Sequence, residues 1–282
     1  MKTILVTGAS TGIGEACAVH LDRAGHRVYA GVRREADGER LRASAQASGS
    51  GRLTPVILDV TDQAHIDAVT KQITEEVGRL DGLVNNAGIA RGGPLEYLPI
   101  DEWREQLEVN VIGQVALTRA VLPLIRTATG RIVFIGSIGG KVATMLMGPY
   151  NASKFAIEAI GESLRHELHP WNIHVSVVEP GAIKTAIWDK GRDTADRLDR
   201  ELPEEGVRLY ADHIAGIRKG IDMQDKNGVG PEKVAEAVDR ALFSRKPRTR
   251  YLVGTDARVQ SALVRLLPDR TREAIVRKIA GP

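Results

Sequence analysis

Tyr150 and Lys154 stand four positions apart in the segment YNASK. On a helix, residues at this spacing share one face, so a phenol and an ammonium can lie close together. A free tyrosine has a pKa of about 10 and is a poor base at neutral pH. A neighbouring positive charge stabilises the phenolate and lowers that pKa. The pair can therefore act as a general acid/base, and we expect Lys154 to lower the pKa of Tyr150.

Two further polar residues can join this pair. Ser137 follows an apolar run at 131–136 and precedes Tyr150 by 13 positions, so its hydroxyl can hydrogen-bond a substrate carbonyl. Asn110 interrupts an apolar stretch. It is either a buried amide with its hydrogen bonds satisfied or the holder of a water molecule between Lys154 and solvent.

The segment TGASTGIG at 7–14 carries Gly8, Gly12 and Gly14 between an apolar run and a helical stretch. Glycines there permit a tight turn, the close approach of a pyrophosphate and close packing of helix on strand. The helix N-terminus then presents free N–H groups and the positive end of its dipole. The segment therefore predicts a dinucleotide-binding loop.

The end of the second apolar run bears on which dinucleotide is bound. It contains no carboxylate and is followed by Arg33 and Arg34. A carboxylate would repel a 2′-phosphate, whereas the planar fork of an arginine can pair with it. We therefore favour NADP(H) over NAD(H), with a solvated loop pair as the alternative, chiefly for Arg34. Asp59 can accept from the adenine amino group or prepare the next helix, for which we expect Thr61 as the N-cap.

Short apolar runs alternate with helical stretches along most of the chain. Continuous apolar strands indicate burial on both faces, and intervening helices indicate right-handed βαβ crossovers. The pattern predicts an α/β fold, a doubly wound parallel sheet of the Rossmann type with ligands at the carboxyl ends of its strands. We expect strands at 3–7, 27–31, 54–58, 83–85, 131–136, 173–178 and 250–253. We expect helices at 12–24, 35–47, 62–77, 101–125 and 150–169.

Two segments depart from this alternation. Residues 187–230 are charged and lack strand signals, and a connection this long is typical of a functional lid. Residues 255–282 are predicted to be a C-terminal helical extension of the domain at 1–254. Its apolar residues among arginines favour a helix docked on its own domain or on a partner subunit, with a membrane-surface helix as the alternative.

Composition excludes several classes of function. The 282 residues carry a net charge of only +3, so nothing global indicates nucleic acid. The single cysteine, Cys17, excludes an internal disulfide, fits a reducing compartment and is expected to be buried. No charged leader or apolar run of about 18 residues is present, so we expect a cytoplasmic protein. The spacing of His166 and His169 does not fit a metal motif, and we expect no catalytic metal.

Taken together, these residues resemble the classical short-chain dehydrogenase/reductase family over roughly residues 2–243. The AGVRR turn at 30–34, the long segment after Thr185 and the extended tail resemble most closely the branch of 17β-hydroxysteroid and retinol dehydrogenases. The motifs that carry the resemblance are TGASTGIG at 7–14, Asn85-Asn86-Ala87-Gly88, Asn110, Ser137, YNASK at 150–154 and PGAIKT at 180–185.

The resemblance implies a role for each of these residues. Tyr150 is expected to be the general acid/base, Ser137 to orient the carbonyl, and Lys154 to bind the nicotinamide ribose. Asn110 is expected to complete a proton relay. Ile183 and Thr185 are expected to hold the nicotinamide carboxamide. The expected cofactor contacts are Gly8, Ser10, Thr11, Gly12, Ile13, Gly14, Arg33, Arg34, Asp59, Val60, Asn86, Ala87, Gly88, Tyr150, Lys154, Pro180, Gly181, Ile183 and Thr185.

The predicted function is the NADP(H)-dependent interconversion of a ketone or aldehyde and an alcohol on an apolar small molecule. The alternatives are an NAD-dependent secondary-alcohol dehydrogenase, an epimerase or dehydratase of the related extended group, and a non-enzymatic nucleotide-sensing regulator. The resemblance also implies a homo-oligomer, a dimer or tetramer. The expected substrate wall is Ile138, Val142, Met145, Leu146, Met147, Ile187 and Trp188.

Overall fold

Over residues 1–49, 51–185 and 187–280, which the computed structural model describes, seven strands pair in parallel in the order β3-β2-β1-β4-β5-β6-β7. The strand order reverses between β1 and β4, and such a switch point opens a crevice at the carboxyl edge of a sheet. The predicted doubly wound parallel sheet is confirmed. The strands are β1 Thr3–Val6, β2 Arg27–Val32, β3 Leu53–Ile57, β4 Gly82–Asn85, β5 Arg131–Ile135, β6 His174–Pro180 and β7 Arg250–Val253.

Helices cover both faces of this sheet because alternate strand residues point to opposite sides. Ile4 and Val6 join a core with helices α1, α2 and α9, whereas Leu5 joins a second core with α3, α5 and α6. Cys17 is buried in the first core, as expected, and burial raises the pKa of its thiol to about 12. The helices are α1 Gly12–Arg23, α2 Glu35–Ser48, α3 Gln63–Glu76, α4 Ile100–Leu107, α5 Gly113–Ala128, α6 Gly148–Leu168, α7 Ile187–Glu201, α8 Glu204–Asn227, α9 Glu232–Phe243, α10 Thr255–Leu266 and α11 Asp269–Ala280.

The single helix predicted at 101–125 is wrong in one respect. A π-helical turn, Glu108–Ile112, separates α4 from α5. The Gly113 N–H donates to the Glu108 carbonyl five residues back, so this turn contains one residue more than an α-helical turn. The hydrophobic pattern does not reveal the insertion because both flanking helices keep an apolar face.

The predicted lid segment forms the helical pair α7 and α8. Ala195, Leu198 and Ile214 are buried between them and pack against Leu146 in the loop before α6. Arg197 on α7 forms a bidentate ion pair with Glu102 on α4, with its second guanidinium nitrogen 3.0 Å from the carboxylate. These two helices are therefore attached to the domain by a small apolar core and a partly buried ion pair.

One stretch among the described residues, Ile100–Ala128, is long and apolar enough to cross a membrane by length and composition alone. Leu117, Val121 and Ile125 of this stretch are fully buried against the sheet. Its apolar composition is accounted for by this position in the core.

Candidate active site

The glycine-rich loop lies against the residues that follow β4. Gly8 has φ +61°, and a Cβ placed on it would lie 2.8 Å from the Ala87 Cα. A Cβ on Gly14 would collide with the Gly8 carbonyl. The side-chain amide of Asn86 donates to the carbonyls of Thr7, at 2.9 Å, and Gly8, at 3.0 Å. The residues predicted to bind the pyrophosphate and to form the cofactor floor therefore lie together.

The start of α1 keeps its amide groups available. Thr11 occupies the N-cap position, but its side chain makes no capping hydrogen bond. The first-turn N–H groups of a helix without such a cap can bind an anion. Side chains on the loop glycines would fill this cradle, so the residues present fit a dinucleotide pyrophosphate.

The arginines after β2 differ in their contacts. Arg34 forms a bidentate pair with Asp37, with Nε–Oδ2 at 2.8 Å and Nη2–Oδ1 at 3.2 Å. Arg33 is exposed and makes no ion pair or hydrogen bond within the described parts of the chain. A third arginine, Arg40 on α2, donates to the Ser10 carbonyl and, at 3.1 Å, to Glu15. The sequence did not reveal Arg40 because its position over the loop depends on how α2 packs.

Asp59 follows β3 with its side chain partly buried. Burial alone raises its pKa, but hydrogen bonds from the amide and hydroxyl of Thr61, at 3.0 and 2.8 Å, leave the pKa below its usual value. The N-cap of α3 is Asp62, which accepts from the Ala64 amide at 2.8 Å. The expected N-cap, Thr61, was wrong because its hydroxyl is bound to Asp59.

Ser137, Tyr150 and Lys154 meet beyond the carboxyl end of β5. Ser137 caps a short 3₁₀ turn, Ile138–Gly140, and its Oγ accepts from the Gly139 amide at 3.0 Å. Tyr150 lies in the first turn of α6 and its hydroxyl is close enough to Ser137 for a hydrogen bond. Lys154 follows one turn later, with its Nζ 5.8 Å from the centre of the Tyr150 ring.

The acid–base properties of this cluster are governed by burial. Burial raises the pKa of Tyr150, and the hydrogen bond with Ser137 only partly opposes this rise. Burial lowers the pKa of Lys154 to about 8. The expectation that Lys154 lowers the tyrosine pKa is wrong for this arrangement. The Lys154 ammonium donates to the Ile135 carbonyl at 2.8 Å, and its charge does not offset the burial of the phenol.

Asn110 is fully buried in the π-helical turn. Its Oδ1 accepts from the Ile89 amide at 2.8 Å, and its Nδ2 donates to the Ile89 carbonyl at 3.0 Å and to Ser153 Oγ at 3.1 Å. A Cβ on Gly88 would lie 3.2 Å from Asn110 Oδ1. The amide therefore connects the segment after β4 to α6, one residue away from Lys154.

Two glutamines extend this amide contact along the helix. Gln106 accepts from the Arg91 amide at 2.7 Å and donates to the Ile89 carbonyl at 2.9 Å. Gln114 donates to the Ala87 carbonyl at 2.8 Å. Both are fully buried and stand four residues before and after Asn110. Sequence reasoning missed them, although three amides at four-residue spacing in an apolar helix were a usable signal.

The segment after β6 closes the site on its other side. The Gly181 amide donates to Val253 at 2.9 Å, and the Lys184 amide donates to Val229 at 2.8 Å. A Cβ on Gly12 would lie 3.2 Å from the Thr185 Cγ2. The segment expected to hold the nicotinamide carboxamide therefore lies against the glycine-rich loop.

The structure describes only part of the expected substrate wall. Ile138, Met145, Leu146 and Met147 are partly exposed near Ser137 and Tyr150 in the chain, whereas Val142 is buried in the protein. Leu146 has φ +57°, and its carbonyl accepts from the Gly93 amide at 2.7 Å. The side chains of Ile187 and Trp188 lie outside the described residues. Across residues 1–49, 51–185 and 187–280, no three histidine, cysteine or acidic side chains are grouped to hold a metal ion.

Known proteins are similar to this chain in sequence and fold. A model of the short chain dehydrogenase family matches residues 2–196. The NADPH-dependent 3-dehydrocapnine reductase of Ornithobacterium rhinotracheale is 33% identical over 285 residues, which cover 99% of this chain and 97% of that protein. A short-chain dehydrogenase structure from Streptomyces avermitilis aligns with a TM-score of 0.77 and 30% identity, covering 99% of this chain and 97% of the other.

Vertebrate relatives belong to the branch that the sequence resembles. The 17-beta-hydroxysteroid dehydrogenase type 6 of Bos taurus is 36% identical over 285 residues, covering 98% of this chain and 87% of that protein. Retinol dehydrogenase 5 of Mus musculus is 35% identical over 281 residues, with 97% and 87% covered. The chain belongs to the short-chain dehydrogenase/reductase family, in the branch of the 17β-hydroxysteroid and retinol dehydrogenases, and is an oxidoreductase that acts on CH–OH groups with a nicotinamide cofactor.

Proposed function

We propose that this protein is an NADP(H)-dependent reductase of a ketone or aldehyde on an apolar substrate, using Ser137, Tyr150, Lys154 and Asn110. The observation that carries the proposal is the meeting of Ser137 and Tyr150 above the buried Lys154 ammonium, beside a glycine cradle that fits a pyrophosphate. A nucleotide-sensing regulator has no need for an acid–base pair of this kind.

Each residue has a separate part in the proposed reaction. Tyr150 is protonated at neutral pH because burial raises its pKa, so it can donate the proton that the carbonyl oxygen takes up during reduction. The Ser137 hydroxyl polarises the carbonyl by a hydrogen bond. When bound, the nicotinamide supplies the hydride. A proton from solvent then returns to Tyr150 through the Lys154 ammonium and a water molecule between Lys154 and Asn110.

The preference for the 2′-phosphate rests on Arg33. Asp37 already takes up the planar fork of Arg34, whereas Arg33 has no partner among the described residues and follows directly after β2. An unpaired guanidinium at this position can pair with a phosphate. The relative from Ornithobacterium is named an NADPH-dependent reductase, which agrees with this choice.

For the substrate, we infer a ketone on a large hydrocarbon skeleton. The lid packs apolar residues of α7 and α8 against Leu146, beside the partly exposed Met145 and Met147. The names of the relatives include 3-dehydrocapnine, 17β-hydroxysteroid and retinol. The first of these relatives matches this chain over 97% of its own length and the other two over 87%. Long-chain ketones therefore come first in a substrate screen.

The proposal is tested by titrating NADPH and NADH into wild type, Arg33→Ala and the matched control Arg34→Ala. We expect NADPH to bind wild type at least about tenfold more tightly than NADH, a difference of about 1.4 kcal/mol. Arg33→Ala should remove this preference, while Arg34→Ala should retain most of it. Equal or tighter binding of NADH to wild type would instead favour the NAD-dependent secondary-alcohol dehydrogenase.

A ketone screen then separates an enzyme from a regulator. Wild type should oxidise NADPH in the presence of a long-chain ketone, and Tyr150→Phe should bind NADPH but lose turnover. Binding without turnover of any ketone, aldehyde or alcohol would favour the nucleotide-sensing regulator.

A further inference from the structure

Asp256 reaches the nicotinamide segment from the C-terminal helices. It is the second residue of α10, and its Oδ2 accepts from the Ala182 amide at 2.7 Å. Ala182 follows Gly181 and directly precedes Ile183. A side chain 74 residues away in sequence therefore holds the backbone of the loop after β6.

Glycines lie next to the Asp256 carboxylate and leave space for it. A Cβ on Gly181 or on Gly254 would collide with the Asp256 carboxylate. Gly254 has φ +102°, a conformation that side chains disfavour, and it is the N-cap of α10. Two glycines thus leave room for the carboxylate where the loop and the start of α10 meet.

The loop also makes two hydrogen bonds through backbone groups. Gly181 donates to Val253, while the Ala182 carbonyl accepts from Val229 at 3.1 Å. The Asp256 carboxylate is the side-chain acceptor in this set, and a charged acceptor forms a stronger hydrogen bond than a neutral one. Because Ile183 and Thr185 follow within three residues, the position of Ala182 determines where their backbone and side chains lie.

We propose that Asp256 is a positioning residue for the nicotinamide half of the cofactor, acting through the Ala182 amide on Ile183 and Thr185. This inference rests on the proposed function, since it requires a nicotinamide cofactor in this site. Asp256 lies outside residues 2–196, the part matched by the family model. It also makes α10 a structural support of the cofactor site.

The test measures binding of two ligands, independently of turnover. NADPH spans the whole site, whereas 2′,5′-ADP carries only the adenine half. Asp256→Ala should raise the Kd for NADPH at least about tenfold and leave the Kd for 2′,5′-ADP within about twofold. Asp256→Asn keeps an oxygen acceptor for the Ala182 amide and should restore NADPH affinity to within about threefold of wild type.

The matched control is Asp269, which also lies at the start of a C-terminal helix but is exposed and pairs with Arg272 on its own helix. Asp269→Ala should leave both affinities unchanged. Gly254→Ala should also weaken NADPH binding, because its new Cβ displaces the Asp256 carboxylate. This variant keeps the carboxylate and remains informative if Asp256→Ala fails to fold.

The outcomes are separable. If wild type binds NADPH and Asp256→Ala binds it equally well, the positioning role is overturned while the proposed function stands. If NADPH and 2′,5′-ADP weaken in parallel, Asp256 has a general structural role and the inference is again overturned. If wild type binds neither NADPH nor NADH, the proposed function fails and the inference fails with it.

Discussion

Lys154 is a buried cation, and its burial lowers the folding stability of the protein. It is only 6% exposed, and burial lowers its pKa from 10.5 to about 8. A shift of this size corresponds to roughly 3 kcal/mol of folding free energy lost at neutral pH. Its hydrogen bond to Ile135 recovers part of this loss. A group kept in such a position is typical of a functional site.

We therefore expect Lys154→Met to abolish turnover yet raise the free energy of unfolding by about 1–2 kcal/mol at pH 7. Because the folded pKa lies below the unfolded one, the unfolded chain binds more protons between about pH 8 and 10.5. Wild type gains stability as the pH rises through this window, so the advantage of the variant should shrink there. Urea denaturation at pH 7 and pH 9.5 measures the difference in unfolding free energy between variant and wild type. Lys71→Met, at an exposed lysine, is the control. An advantage that is constant with pH would contradict the explanation.

At the residue scale, the motif residues were predictable and their hydrogen-bond partners were not. Gly8 and Ser137 were predicted because each follows a strand end, and Tyr150 because it stands four residues before Lys154. Asp256 was missed because its hydrogen bond depends on α10 lying beside the loop after β6, a contact that no local pattern encodes. Arg34 was predicted together with Arg33, and only the structure shows that Asp37 pairs with it.

At the element scale, a buried ionic cluster joins β6, β7, α6 and the turn after β5. Glu179 on β6 is fully buried and pairs with Lys141 at 2.9 Å and with Arg250 on β7 at 3.4 Å. Arg250 also binds Glu158 on α6 at 2.9 Å. Burial and the neighbouring Glu158 raise the pKa of Glu179, despite these cations. The cluster thus ties the segment that follows Ser137 to the strand that ends at Pro180.

Arg250→Met should lower the free energy of unfolding at pH 7 by about 3–5 kcal/mol, because it removes the cation paired with the buried Glu158 and leaves Lys141 to compensate Glu179 without Arg250. With the pKa of Glu179 raised further above its unfolded value, the folded variant binds more protons than the unfolded chain, so acidification favours folding. The deficit relative to wild type should narrow between pH 7 and pH 5. Chemical denaturation at the two pH values measures this difference in unfolding free energy. Arg104→Met, which removes an exposed ion pair, is the control. A deficit of less than 1 kcal/mol would mean that the cluster contributes little.

The strands and helices were predicted more accurately from the sequence than the points where helices begin or are interrupted. Every predicted strand is present within two residues, because buried parallel strands are short, continuous apolar runs. The π-helical turn at Asn110 and the N-cap at Asp62 were missed. Both depend on where an individual polar group finds its partner, which apolar periodicity does not report.

For the whole molecule, we propose that exposed apolar residues on and around α6 are where a second copy binds. Ile112 at the end of the π-helical turn is 53% exposed, and Phe155 on α6 is 45% exposed. Leu107 at the end of α4 and Val115 on α5 flank the π-helical turn and are exposed as well. Exposed apolar residues on helices are typical of an interface, and a two-fold axis would place the same helices of two copies against each other.

We therefore expect a homo-oligomer that the double variant Ile112→Glu/Phe155→Glu converts to monomers, measured by sedimentation equilibrium. Leu266 on α10 is more exposed, at 79%, and Leu266→Glu is the control that should leave the assembly intact. The inner residues of the same segments are Asn110 and Lys154, so dissociation should also lower turnover more than cofactor affinity. If Leu266→Glu dissociates the protein and the double variant does not, the C-terminal helices form the interface. Assembly would then be coupled to cofactor binding through Asp256. It would not be coupled to catalysis through Asn110.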